Sequence, residues 1–103
     1  MANPLQPKVI QCLETEYNAF VINITAASKS GNMDVIASIN GLFYGFEIKW
    51  KTDTPSMLQK QKINALTAAG GRGYFVRSVE QLRKILNNDL PSEQYDLSSN
   101  IML

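Results

Sequence analysis

The chain has 103 residues, of which 45% are hydrophobic and 18% are charged, a composition typical of one compact domain. It has no histidine and one cysteine, which excludes serine–histidine–aspartate triads, histidine-ligated zinc, internal disulfides and cysteine-rich metal sites. No stretch is long and apolar enough for a membrane helix, and the N-terminus lacks a signal-peptide pattern, so we expect a cytoplasmic protein. The net charge is +1, but residues 29–84 carry nine Lys or Arg against four acids, which predicts a locally basic surface.

The first part of the chain predicts a helix followed by a strand. Asn3-Pro4 suits a helix start with a cap and a proline at the first position, and apolar residues at helical spacing continue to Tyr17. Residues 19–24 are apolar and β-branched, which predicts the first strand. Residues 25–32 are small and polar and predict a loop.

A β-hairpin is predicted next. Residues 33–39 and 42–50 read as strands, and Asn40-Gly41 between them is a strong signal for a two-residue type I′ turn. In the register that this turn sets, one face of the hairpin is continuously apolar, so we expect it to be buried. Its members are Val35, Ala37, Ile39, Leu42, Tyr44, Phe46, Ile48 and Trp50.

The second half predicts a helix, a strand and a further helix. The first of these helices is expected to begin with Thr54-Pro55 as cap and first residue, and to end at Gly70-Gly71. Residues 73–77 predict the fourth strand, and Ser78 resembles the cap of the last helix.

The fold class that follows is α/β (α+β), in the order α-β-β-β-α-β-α, with one mixed sheet flanked by helices. A single domain is expected over residues 1–87. Residues 88–103 have no clear period, so we expect a tail that is flexible or packs on a partner.

Two carboxylates and a lysine share the polar face of the predicted hairpin. With the turn at residues 40–41, Asp34 lies directly opposite Glu47, and Lys49 lies on the same face two residues further on. Like charges across a ladder repel, whereas a divalent cation such as Mg²⁺ reverses that interaction and binds through one or two carboxylates. The spacing leaves open the alternative that the carboxylates are solvated surface residues with Lys49 as a neutralising neighbour.

Gln59 is an amide on the apolar stripe of the predicted second helix, which also includes Ile63 and Leu66. An inward amide near a helix N-terminus needs a hydrogen-bond partner. The spacing allows a capped core glutamine equally with a residue that reaches the metal site or a phosphate.

The stretch SGNMDVIASINGLFYGFEIKWKTDTPSMLQKQKINALTAAGGRGYFVRSVEQL, residues 30–82, resembles the PD-(D/E)XK nucleases. Within that superfamily it is similar to the virus-type replication-repair nuclease (VRR-NUC) family. The similarity lies in a glycine-x-Pro-Asp-like strand, a hairpin, a Glu-x-Lys strand, a helix with a glutamine, and a double glycine. It implies a restriction-endonuclease-like fold and covers about half of the chain.

The resemblance also implies the site and its activity. Asp34 and Glu47 correspond to metal ligands, with the backbone carbonyl of Ile48 as a further ligand, Lys49 as the catalytic lysine and Gln59 as the helix glutamine. The implied activity is Mg²⁺- or Mn²⁺-dependent hydrolysis of DNA phosphodiester bonds, with no small-molecule cofactor and no membrane. Small stand-alone members resemble phage or bacterial DNA-repair proteins that act as homodimers on branched DNA such as Holliday junctions.

The sequence departs from the family pattern at two positions. Met33 stands where the family usually has proline before the aspartate. The family also usually has a glutamate on the first helix, and here Gln6 is nearest to the expected place, while Glu14 and Glu16 come too late. The second departure bears on metal affinity or rate.

Two other functions compete with a nuclease. One is a non-catalytic dimeric DNA-binding module on the same fold, and the other is a dimeric interaction protein with a fortuitous motif. The nuclease and the non-catalytic module would both bind DNA, with basic residues as phosphate contacts. The candidates are Lys29, Lys51, Lys60, Lys62 and Arg72.

Overall fold

A computed structural model describes residues 3–24, 33–50 and 52–97 of the protein. Helices and strands follow one another in the predicted order, which confirms the mixed α+β architecture. They are α1 (Leu5–Glu16), β1 (Phe20–Asn23), β2 (Val35–Ile39), β3 (Leu42–Ile48), α2 (Met57–Ala68), β4 (Arg72–Val76) and α3 (Val79–Asn87). The predicted loop at 25–32 lies outside the described residues. Among the described residues, no helix combines the length and apolarity that crossing a bilayer requires.

The four strands form one mixed sheet in the order β1-β2-β3-β4. The first three are antiparallel neighbours, and β4 joins β3 in parallel after the chain has passed through α2. Asn40 and Gly41 have φ angles of 51° and 82°, and a type I′ turn requires positive φ at both positions. Ile39 therefore pairs with Leu42, which is the register predicted from the turn.

One face of the sheet packs against α1 and α3 and contains most of the core. Phe46 and Val35 are fully buried there, and the rings of Tyr44, Phe46 and Tyr74 stack at centroid distances of 5.7 to 6.2 Å. The predicted apolar face is wrong at its two ends. Leu42 is 41% exposed because it follows the turn directly, and Trp50 is 37% exposed because it lies beyond the end of β3.

Glycines allow α2 to approach the other face of the sheet, where it packs mainly on β4 and β3. A Cβ at Gly45 would lie 2.8 Å from Leu66 Cδ2, and one at Gly73 would lie 3.3 Å from the same atom. The absence of side chains at these two positions therefore fixes how close the helix lies to the strands.

The starts of α1 and α2 show how local hydrogen bonds set helix boundaries. Asn3 Oδ1 accepts a hydrogen bond from Leu5 N at 2.9 Å, as expected of a capping side chain, but α1 begins at Leu5, so Pro4 precedes the helix instead of being its first residue. The predicted start at Thr54 is wrong, because Ser56 is the cap of α2. Ser56 Oγ accepts from Gln59 N at 3.1 Å and Gln59 Oε1 accepts from Ser56 N at 2.9 Å, so the two residues form a reciprocal capping box.

The segment after α3 packs on its own chain as far as Tyr95, whereas the sequence predicts a flexible or partner-bound tail from residue 88. Glu93 N donates to Gly73 O at 3.0 Å, and Glu93 Oε1 accepts from Phe75 N at 2.9 Å. Asn64 of α2 exchanges hydrogen bonds of 2.8 and 2.7 Å with the backbone of Tyr95. Residues 89–95 thus pack on β4 and α2, where Ser92 and Glu93 satisfy backbone groups at the edge of β4.

Candidate active site

Asp34 lies directly before β2, beside the end of β3 that carries Glu47. Asp34 N donates to Phe46 O at 3.1 Å, and Asp34 Oδ2 accepts from Ile48 N at 2.8 Å. Two hydrogen bonds to β3 therefore fix both the backbone and the side chain of Asp34 next to the Glu47 carboxyl group. The expected opposition of the two carboxylates follows from the hairpin register.

Glu47 is a buried carboxyl group with one unsatisfied oxygen. The residue has 0% exposure, its Oε1 accepts from Gln59 Nε2 at 3.1 Å, and its Oε2 has no donor among the described residues. Such a group is costly to bury because it loses its hydration without a replacement. The interpretation of Glu47 as a solvated surface residue is therefore wrong.

Burial, followed by the charge of Asp34 and a hydrogen bond to it, raises the pKa of Glu47 to about 8, against the opposing charge of Lys49. A hydrogen bond between two carboxyl groups requires a proton on one of them. When both groups are ionised, each can only accept hydrogen bonds, so neither satisfies the other, and Glu47 Oε2 has no donor among the described residues.

Gln59 connects the N-terminus of α2 to this pair. Its carbonyl oxygen accepts from Ser56 N within the capping box, which directs its amide NH₂ toward Glu47 Oε1. The two functions that the sequence left open, capping and contact with the site, are both present in the same side chain.

Lys49 follows the carboxylates at the end of β3. Its backbone N donates to Val76 O at 2.9 Å, so the residue is still held against β4 where β3 ends. Its side chain is half-buried. The positive charge of Lys49 lowers the pKa of Glu47, so the ammonium group lies close enough to act on this carboxyl group.

The backbone carbonyl of Ile48 receives a hydrogen bond from the start of α1, a contact that the sequence reasoning missed. Asn3 Nδ2 donates to Ile48 O at 3.2 Å. A carbonyl oxygen has two lone pairs, so one acceptor position remains for a further partner. Asn3 thus caps α1 and also attaches that helix end to the site.

Gln6, the residue nearest to the place of the family glutamate, is buried and donates from Nε2 to Asn23 Oδ1 at 2.9 Å. Glu14 is exposed, and Glu16 forms hydrogen bonds of 2.9 and 2.7 Å with Arg83. Neither glutamate of α1 is therefore available as a third carboxylate for the pair.

The residues present fit a hard divalent cation held by few protein ligands. Within the described ranges, no cluster contains three or more His, Cys, Asp or Glu side chains suited to a metal. Mg²⁺ typically binds through one or two carboxylates and keeps several waters. The buried oxygen of Glu47 without a donor is the group that such an ion would satisfy.

Comparison with solved structures relates this arrangement to a known fold. A structure described as "VRR_NUC domain" superposes with a TM-score of 0.67 and 16% sequence identity, over 85% of this chain and 100% of that chain. The chain has the fold of a VRR_NUC domain. No family model matches the sequence, and no curated protein matches it either. The fold expected from the resemblance is confirmed.

The predicted basic residues lie at different distances from the site in the VRR_NUC fold. Lys60 directly follows Gln59 and lies 5.9 Å from the ring centroid of Tyr95. Arg72 forms an ion pair with Asp89 and lies at the far end of β4, opposite Tyr44. For the other three candidates, the described part of the chain shows no contact with the carboxylates. Lys62 lines a groove with Ile36 and Phe43, and Lys29 and Lys51 lie outside the described residues.

Arg77 is a basic residue next to the site that the sequence reasoning did not include. Val76 pairs with Ile48 in the parallel ladder, so Arg77 follows β4 where Lys49 follows β3. Its guanidinium donates to Asp53 O at 2.6 Å, in the loop that leads to α2. Lys49 and Arg77 each follow an apolar strand in the sequence. Only the parallel pairing of β3 with β4 shows that the two residues are neighbours.

Proposed function

We propose that the protein is a metal-dependent DNA endonuclease of the VRR-NUC family. One observation carries the proposal: Glu47 is a buried carboxyl group with an unsatisfied oxygen, beside Asp34, in a chain with the VRR_NUC fold. A structural role alone does not account for two adjacent carboxylates of this kind, since their repulsion destabilises the fold.

In this proposal Asp34, Glu47 and the Ile48 carbonyl hold Mg²⁺ or Mn²⁺. The bound ion would activate water and stabilise the negative charge that develops at the scissile phosphate. The Lys49 ammonium orients the attacking water or stabilises the same charge. Gln59 acts as a positioning residue, because its amide fixes one oxygen of Glu47.

DNA binds along the basic residues around this centre. Lys60 follows Gln59 on α2, Arg77 follows the strand that pairs with β3, and Lys62 lies further along α2. Lys29 and Lys51 are further candidates from the sequence alone. Arg72 contributes less, because Asp89 already neutralises it. Each phosphate contact makes affinity more dependent on salt concentration.

The substrate is branched DNA such as a Holliday junction, cut in a bacterial cell or a phage-infected host during repair. A symmetric homodimer would place two active sites on such a substrate and allow paired cuts. The resemblance to small stand-alone VRR-NUC proteins supports this finer part of the proposal, including the cytoplasmic location.

The test is cleavage of a labelled four-way junction, a linear duplex and a single strand, each with Mg²⁺, Mn²⁺ or EDTA. We expect metal-dependent paired cuts near the branch and slower cutting of the linear substrates. Loss of cutting in Asp34→Asn, with an exposed-residue variant such as Glu14→Gln as control, would assign it to this centre. Binding of DNA without cleavage at saturating metal would instead favour the non-catalytic module.

A further inference from the structure

An apolar part of the sheet lies beside α2 without cover from the described residues. We call it the open face; it consists of Phe20, Ile22, Ile36 and Phe43. Phe20 is 69% exposed, Phe43 49% and Ile22 46%. The ladder aligns Phe20 and Phe43 on either side of Ser38, so the two rings flank a small residue.

The open face contains a groove as well as projecting rings. One cavity lies among Phe20, Ile22 and Phe43, and a second lies between Ile36, Phe43 and Leu66 of α2. The two cavities share Ile36 and Phe43, so they adjoin each other along the open face, and Lys62 also lines the second one. A single copy thus presents both a projecting ring, Phe20, and a groove able to receive one.

The two edges of the sheet differ in whether their backbone hydrogen-bonding groups are already occupied. Along β4, Gln81 Nε2 donates to Phe75 O at 3.1 Å and Gln81 Oε1 accepts from Arg77 N at 2.6 Å, as a neighbouring strand would. Ser92 and Glu93 occupy three further backbone groups of β4. This edge cannot pair with another chain. Among the described residues, β1 is the terminal strand at the other edge and pairs only with β2.

We propose that a second copy of this chain covers the open face, with β1 at the interface and Phe20 of each copy in the groove of the other. A two-fold axis makes such contacts reciprocal, so one surface that carries both ring and groove is self-complementary. This inference deepens the homodimer part of the proposed function. It excludes the β4 edge as the site of pairing.

The exposed area is consistent with the centre of a dimer interface. Taking roughly 200 Å² for an aromatic side chain and somewhat less for isoleucine, Phe20, Phe43 and Ile22 expose roughly 300 Å² of apolar surface. Standard interfaces bury about 800 Å² per partner, with an apolar centre and a polar rim. The open face supplies such a centre, and its neighbours on β1 and β2, with Lys62 of α2, supply the rim.

The test is sedimentation equilibrium of the full chain over a concentration series, in EDTA and without DNA. We expect a dimer for the native sequence, and monomers for Phe20→Glu and Phe43→Glu. Leu58→Glu is the matched control, because Leu58 is 39% exposed but lies on the first turn of α2. A native chain that is monomeric throughout overturns the inference, as does a dimer that both phenylalanine variants retain.

Hydrogen exchange of the native chain tests the same interface without a substitution, so it does not depend on whether a variant folds. We expect the amides of Phe20–Asn23 to gain protection as the concentration rises. Protection that does not depend on concentration would mean that another part of the same chain covers the face, and would overturn the inference. Since neither measurement involves cleavage, a monomer that still cuts DNA would leave the nuclease proposal intact.

Discussion

The burial of Glu47 predicts an unusual dependence of stability on pH. Its pKa is about 8 in the folded protein against 4.5 for an ordinary glutamate. Between these values the unfolded chain has released the proton and the folded chain retains it. The metal-free protein should therefore lose stability as the pH rises from about 4.5 to about 8, and the loss should be complete above that range.

The magnitude follows from the separation of the two pKa values. At about 1.4 kcal/mol per pH unit, the free energy of unfolding falls by on the order of 5 kcal/mol across the interval. This is comparable with the whole stability of a small domain. A divalent ion that binds only the folded, ionised form should restore about 2.7 kcal/mol at a concentration one hundred times its Kd.

The assay is urea denaturation followed by circular dichroism from about pH 5 to about pH 9 in EDTA. Glu47→Gln keeps the shape of the side chain and removes its titration, so its stability should be nearly constant over this range and should exceed that of the native chain at the alkaline end. Glu14→Gln, at an exposed position, should follow the native profile. The same pH dependence in Glu47→Gln and in the native chain would contradict the raised pKa of Glu47.

Three further predictions test individual contacts. Lys49→Ala should retain the thermal unfolding temperature and reduce single-turnover cleavage by about 10²–10³-fold, and normal turnover would remove Lys49 from the mechanism. Gln59→Ala and Ser56→Ala should each cost about 1 kcal/mol through the lost capping box, but only Gln59→Ala should lower the affinity for Mn²⁺, measured by calorimetry; equal losses of affinity would contradict the contact with the carboxylate. Glu93→Ala should lower the free energy of unfolding by about 1–3 kcal/mol and exposed Gln94→Ala by less than about 0.5 kcal/mol, so similar values in urea denaturation would argue against the packed tail.

The hairpin was predictable because its information is local. Asn40-Gly41 fixes a two-residue turn, the turn fixes the register, and the register puts Asp34 beside Glu47. The presence of helix α2 was predictable, but its first residue was not, because Thr54 and Ser56 are both possible caps. The reciprocal hydrogen bonds between Ser56 and Gln59 outweigh the Thr54-Pro55 signal.

The remaining parts of the site depend on contacts between distant segments. Asn3 meets the Ile48 carbonyl across 45 residues, and Arg77 adjoins Lys49 only because β4 runs parallel to β3. The burial of Glu47 likewise depends on how closely α2 packs, which the sequence pattern does not reveal. Periodicity identifies which face of an element is apolar but not which other segment will pack on it.

We propose above that Asp34 and Glu47 together hold a divalent ion. The most direct measurement is calorimetric titration of Mn²⁺ into the DNA-free native protein, Asp34→Asn and Glu47→Gln at about pH 8, where burial no longer keeps Glu47 fully protonated. We predict saturable binding of one ion per chain by the native protein and a loss of affinity of at least about tenfold in each variant. Equal affinity in all three proteins, or no binding by the folded native chain, would contradict the claim.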